Sequence, residues 1–126
     1  MSERWTVAGF HHVQLAMPPG READAEAFYV GELGFTRIAK PEHLEARGGC
    51  WFRYGRTELH LGVEPGFEAS TKAHPALIVH GLAALRAALE EAQCAVADDT
   101  HLDGHERCYV RDPFGNRIEL IEEVGA

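Results

Sequence analysis

Apolar positions along the chain fall into two rhythms. Over residues 21–33, Ala23, Ala27, Phe28 and Val30 gather on one side of a helical wheel, while Glu22, Asp24, Glu26 and Glu32 lie largely on the other. Gly34 then stands where a helix stop needs positive φ. A second helical window, 82–93, carries Leu82, Leu85, Ala88, Leu89 and Ala92 at the same spacing. Between and around these windows, short apolar or alternating runs at 10–17, 35–39, 50–54, 58–63, 76–80, 95–97, 108–111 and 117–121 predict eight strands, with glycines punctuating the intervals. The order is β-α-β-β-β followed by β-α-β-β-β.

The two halves share a pattern as well as a count. His12-Val-Gln-Leu-Ala-Met and His74-Pro-Ala-Leu-Ile-Val both read His-x-x-Leu-x-apolar. Each half also ends in a strand that sets one ionisable residue between two aliphatics, Leu59-His60-Leu61 and Ile118-Glu119-Leu120. Two copies of one module follow, about 6–64 and about 73–123, joined around 65–72 within a single domain spanning 1–126. The expected architecture is α+β, two paired β-α-β-β-β modules forming a cupped mixed sheet.

Strand parity selects the candidate chemistry, since neighbours on a strand face opposite ways. Val13, Leu15 and Met17 form an apolar face, so His12 and Gln14 lie opposite. By the same count His60 opposes Leu59 and Leu61, His74 opposes Leu77 and Val79, and Glu119 opposes Ile118 and Leu120. All four polar residues fall on the face turned from the helices, and a cleft lined by both faces would gather His12, His60, His74 and Glu119. Neutral imidazoles with a carboxylate suit a borderline divalent cation and leave positions open for substrate or water. Zn, Ni, Mn, Fe(II) or Co fits such a set better than copper(I), one ion per site. Replacing a carboxylate by an imidazole leaves the ion with uncompensated positive charge, which favours an anionic oxygen pair and Lewis-acid work. Glu119, released from coordination, would be the general base.

Composition narrows the partners. With 12 Lys and Arg against 20 Asp and Glu, the formal net charge is −8, and no basic run is present. Nucleic acid is not an expected partner, because backbone phosphates require a basic face. No window approaches the roughly 18 apolar residues of a membrane span, and no signal core opens the chain. A soluble cytoplasmic protein is expected. Cys50, Cys94 and Cys108 are widely spaced, without a Cys-x-x-Cys pair, and read as reduced core thiols.

The sequence resembles the vicinal-oxygen-chelate superfamily, the group of glyoxalases, bleomycin-resistance proteins and extradiol dioxygenases. Phe10-His-His-Val-Gln-Leu-Ala-Met, Ala27-Phe-Tyr-Val-Gly-Glu-Leu-Gly-Phe, His74-Pro-Ala-Leu-Ile-Val and Tyr109-Val-Arg-Asp-Pro-Phe-Gly-Asn-Arg-Ile-Glu-Leu-Ile-Glu carry the resemblance over almost the whole chain. It implies metal ligands at His12, His74 and Glu119, with His60 at a fourth position where glyoxalases usually have Glu. The implied activity is a metal-dependent, glyoxalase-like lyase or isomerase acting on a small substrate chelated through vicinal oxygens. The superfamily also hosts extradiol dioxygenases, thiol-transferring antibiotic-resistance enzymes and non-catalytic drug-binding proteins. A homodimer is expected from open sheet edges and from the resemblance, which implies ligands from both chains in one site.

Other residues bear on the cleft less directly. Trp51, Arg53, Arg107 and Tyr109 alternate onto its face and would suit a small anionic, partly apolar substrate. Asp112-Pro113-Phe114-Gly115-Asn116 reads as a scaffold turn. His101 and His105 belong to a polar loop, His11 has the wrong parity, His43 lies in a connection, and His80 stands about 20 Å along the strand from His74.

Overall fold

A computed structural model describes residues 4–124. Each predicted module forms its own four-stranded mixed sheet. In the first, β1 (Val13–Met17), β4 (Thr57–Val63), β3 (Cys50–Tyr54) and β2 (Thr36–Ile38) lie in the order β1-β4-β3-β2. In the second, β5 (Ala76–Ile78), β8 (Arg117–Glu123), β7 (His105–Arg111) and β6 (Val96–Ala97) lie in the order β5-β8-β7-β6. β1 runs parallel to β4 and β5 parallel to β8, and the other pairs are antiparallel. The repeat read from the sequence is therefore a repeat of topology. It also leaves β1 and β5, the strands that follow His12 and His74, each at a free edge.

The helices close one face of each sheet. The first begins as α1 (Glu22–Glu26) and continues as a π-helix over Ala27–Glu32. Its stop is Gly34, at φ +83°, where Gly34 N–H reaches Val30 O and Phe35 N–H reaches Tyr29 O. This closure is one residue wider than a Schellman turn. The buried stripe is Ala25, Phe28 and Tyr29, whereas Ala23 and Ala27, expected on that face, are exposed. Two aromatic rings carry far more burial free energy than alanine methyls, so the rings choose the face. The second helix, α2 (Leu82–Glu91), buries Leu82 and Leu89 and starts on two backbone N–H groups accepted by Glu122 of β8.

One core joins the modules: Phe52, Leu59 and Leu61 from the first sheet, and Val110, Ile118 and Leu120 from the second, together with Tyr29 and Leu89. Cys50 and Cys108 lie in it as free thiols, and burial pushes the Cys50 thiol up to about 11. The Asp112 turn ties the halves together. Its carboxylate accepts the Tyr29 hydroxyl at 2.7 Å, the Asn116 side-chain amide at 2.8 Å, and the backbone N–H groups of Phe114 and Asn116. Asn116 also donates to Ala16 O in β1. The scaffold role expected of this turn holds, and it extends to locking one module onto the other.

Candidate metal centre

On the second sheet, register and parity place Glu119 beside His74. Ala76 pairs with Glu119 across β5 and β8, so His74, two residues before Ala76, projects from the same face at the strand's start. His74 Nε2 lies 2.9 Å from Glu119 Oε1, and His74 Nδ1 lies 2.7 Å from Lys72 O. A backbone carbonyl only accepts, so Nδ1 carries the ring proton. In the neutral ring Nε2 is then a bare lone pair facing a carboxylate oxygen. Two acceptors at 2.9 Å require a proton or a cation between or beside them. Ligating histidines are characteristically oriented in this way, one nitrogen spent on a carbonyl and the other offered to the metal. The donor pair fits a divalent ion.

Glu119 is 7% exposed, and its outer oxygen is held from the other side. Arg107 Nη1 lies 3.4 Å from Glu119 Oε2 and 3.4 Å from the Tyr109 hydroxyl, while the same guanidinium donates to Thr100 O. Arg117 stacks its guanidinium carbon 3.7 Å from the Tyr109 ring centroid and reaches Asp99 at 3.6 Å. Burial first, then a hydrogen bond to Asp99 and the nearby Glu119, raise the Tyr109 hydroxyl above its ordinary range. Arg107 and Tyr109 thus stand on the same face as Glu119. Arg117 and Asp99 were missed, although Arg117 lies two residues before Glu119 on the same strand and shares its parity.

On the first sheet, a stack of rings occupies the corresponding face. Trp51 and His60 pair across β3 and β4, and their rings lie parallel, 4.0 Å between centroids. The opposite face of His60 covers His12 at 4.1 Å. His60 is 3% exposed, and burial lowers its pKa, with the Glu58 carboxylate opposing that shift. The neutral ring then donates from Nε2 to Glu58 Oε1 at 3.0 Å and leaves Nδ1 as a bare lone pair. His11, set aside by parity, sits with Nδ1 3.0 Å from His12 Nδ1. It precedes β1, where strand alternation no longer applies. Arg53 is exposed on the same face, two residues along β3 from Trp51 and opposite Glu58 in register.

The structure brings these residues together in two groups: His12, His60 and Trp51 on one sheet, and His74, Glu119, Arg107 and Tyr109 on the other. Among the described residues, no group of three or more His, Cys, Asp or Glu is placed to hold one metal ion. The physical reason is topological, since the edges that present His12 and His74 belong to separate sheets and are not paired within one chain. Elsewhere, His101 is exposed beside Asp103, and His80 is exposed at a cavity between the modules, both apart from the two groups.

No family model matches the chain, and no curated protein sequence does. Solved structures do. A glyoxalase family protein from Bacillus anthracis is 44% identical, with a TM-score of 0.90, over 95% of this chain and 98% of that one. A glyoxalase family protein from Enterococcus faecalis is 23% identical, with a TM-score of 0.66, over 90% of this chain and 97% of that one. The fosfomycin resistance protein FosX from Listeria monocytogenes shares the fold at 12% identity, with a TM-score of 0.75, over 94% of this chain and 96% of that one. No helix of the described residues is long and apolar enough to cross a membrane.

Proposed function

The chain belongs to the glyoxalase family of the vicinal-oxygen-chelate superfamily, and from that premise we propose that it is a metal-dependent lyase or isomerase acting on a small substrate through two vicinal oxygens. The observation that carries the reading is the contact of His74 Nε2 with Glu119 Oε1 while His74 Nδ1 is committed to Lys72 O. His74 and Glu119 would hold the ion from one side. The remaining donors, His12 and His60, would come from a second copy of the chain. Apolar exposure near both free edges supports such pairing: Phe10, just before β1, is 96% exposed, and Ile78 on β5 is 81% exposed. A homodimer that covers them would set the ring stack of one copy against the carboxylate of the other.

When bound, a divalent ion supplies Lewis-acid polarisation of the substrate oxygens. The protein groups divide the remaining tasks. Glu119 would accept a carbon-bound proton, with Arg107 beside its outer oxygen. The Tyr109 hydroxyl gives its hydrogen to Asp99 and accepts from Arg107, and so helps to hold the Arg107 guanidinium beside Glu119. Trp51 walls the cleft beside His60 and excludes water from that side.

The test is elemental analysis after purification and after metal reloading, followed by turnover assays on hemithioacetals, catechols and thiol-plus-epoxide pairs with Zn, Ni, Mn and Fe(II). Metal-dependent isomerisation or lysis of one class supports the reading. Turnover of a catechol or a thiol-plus-epoxide pair instead would move the protein to the dioxygenase or thiol-transfer reaction on the same ligands. Tight, chelator-insensitive ligand binding with no turnover would leave sequestration and remove the proposal.

A further inference from the structure

The ring stack has a second side. Next to Trp51, at the end of the first sheet, lies a hollow of about 280 Å³ bounded by Gln14, Lys40, Leu44, Arg47, Gly62 and Val63. It is smaller than the roughly 300–1,000 Å³ that encloses a whole ligand, so it accommodates one end of a molecule. Its lining departs from the chain's overall character. In a protein of net charge −8, with 12 cationic side chains, two of them flank this one hollow.

Their free valences point to an oxyanion. Lys40 donates one N–H to Gly48 O, which leaves two of the three ammonium hydrogens without an acceptor among the described residues. Arg47 makes no ion pair or side-chain hydrogen bond among the described residues, and its planar fork matches a carboxylate or phosphate. The Gln14 amide makes no side-chain hydrogen bond among the described residues either, and it occupies the space over Gly62. A Cβ on Gly62 would fall 2.5 Å from Gln14 Nε2, so only glycine lets that amide lie against the sheet here. Trp51 links the hollow to the candidate metal centre, because it lines the first and lies flat on His60 at the second.

We propose that this hollow is the subsite for an anionic terminus of the substrate, a carboxylate or phosphate held by Lys40 and Arg47 while the vicinal oxygens lie at the centre beyond Trp51. This rests on the reading of the face that carries Trp51 and His60 as the substrate site, and it adds a substrate class, small molecules with an acidic end remote from the reacting oxygens. Gln14 hydrogen-bonds the same terminus, and Leu44 and Val63 flank the adjoining methylenes.

The experiment uses the full-length protein with Trp5→Phe, which leaves Trp51 as the only tryptophan reporter of the two in the chain. Trp51 fluorescence is titrated at constant ionic strength with inorganic phosphate, with succinate and with neutral succinamide. Saturable change is expected with phosphate or succinate, the stronger of the two identifying the terminus, and none with succinamide. Arg47→Gln is expected to weaken the response about tenfold or more, and Arg47→Lys to recover part of it. Arg47 is exposed and unpaired among the described residues, so these variants should fold, which circular dichroism verifies. His74→Ala, which removes a proposed ligand of the ion, is expected to lose the metal and to leave anion binding unchanged; wild-type metal affinity in His74→Ala would overturn the functional reading without touching this one. Anion binding equal in Arg47→Gln and its parent, equal responses to succinate and succinamide, loss of the response in His74→Ala, or no response to either anion would overturn the subsite.

Discussion

The imidazole of His60 lies flat on the indole of Trp51, 4.0 Å between centroids and 4° between planes, with His12 stacked on the other side. A ring clamped on both faces has little freedom to rotate, and Glu58 fixes which nitrogen points where. The remaining nitrogen is thereby presented in one direction, the arrangement expected of a metal donor backed by a carboxylate. His60→Phe keeps the stack and removes both nitrogens. Metal affinity, measured by competition with a chromophoric chelator, is expected to fall more than tenfold, whereas Glu58→Gln falls within the roughly 10- to 100-fold range of outer-shell changes. Wild-type affinity in His60→Phe would remove His60 from the ligand set and leave it a spacer between His12 and Trp51.

Much of this centre was legible because strands alternate. Once Leu59 and Leu61 face the core, His60 must face away, and the same count placed Glu119, Arg107, Tyr109 and Trp51. Parity would have found Glu58 and Arg117 as well, since each lies two residues from a residue already chosen. Alternation says nothing about which edges meet. The separation of His12 from His74 depends on β1 and β5 ending as unpaired edges, and edge pairing is a long-range property absent from local periodicity. Lys40 and Arg47 were invisible for another reason. Lys40 precedes and Arg47 ends a 3-10 turn over Glu42–Arg47, in a connection without a period, so no face could be assigned to them. The π-helical turn at Ala27–Glu32 escaped for a related cause, because a 3.6-residue wheel cannot register one extra residue.

The Tyr29 hydroxyl donates to Asp112 Oδ2 at 2.7 Å across the two modules. Burial first, and Asp112 second, raise the Tyr29 pKa well above 10, so the proton stays on Tyr29 in the folded protein. Tyr29→Phe is expected to cost about 1–3 kcal/mol in denaturant unfolding, the range for removing one partner of a buried hydrogen bond. The sign of the alkaline dependence follows. The raised folded pKa contributes stability below the ordinary value of 10, and that contribution is lost as pH rises beyond it. Tyr29→Phe should show a weaker loss of stability above about pH 10 than the parent, and an unchanged alkaline profile would remove Tyr29 as the cause.

Glu122 offers a test at the acid end. Its two carboxylate oxygens accept Gly81 N–H at 3.0 Å and Leu82 N–H at 2.9 Å, capping α2 from a neighbouring strand. Those N–H groups, Leu82 first, hold its pKa below the ordinary 4.5. A depressed carboxyl contributes stability above its unfolded value, lost as pH falls through the folded one. Glu122→Gln is therefore expected to melt a few degrees lower than the parent at pH 7, the two converging below about pH 4. A difference that persists undiminished at acid pH would mean that the charge is not what holds the helix start.

The division of the centre between two sheets leads to a decisive measurement. If one ion is held by His74 and Glu119 of one copy and His12 of another, then a variant lacking His12 and a variant lacking His74 and Glu119 carry complementary defects. In a mixed dimer, one site contains both defects and the other contains neither. Each variant alone, His12→Ala or His74→Ala with Glu119→Gln, is expected to bind no tight metal. Unfolding and refolding the two together in equal amounts gives about half mixed dimers by random pairing, each with one intact site. Bound metal in the mixture should then rise to about a quarter of the wild-type content, with turnover recovering in proportion. Ligands drawn from a single chain predict no recovery, because every chain in the mixture still carries a defect. Light scattering on the same sample separates the remaining possibility: a monomer mass at micromolar concentration with no recovery would rule out the shared site, whereas a dimer mass without recovery would place the ion within one chain after rearrangement of its two sheets.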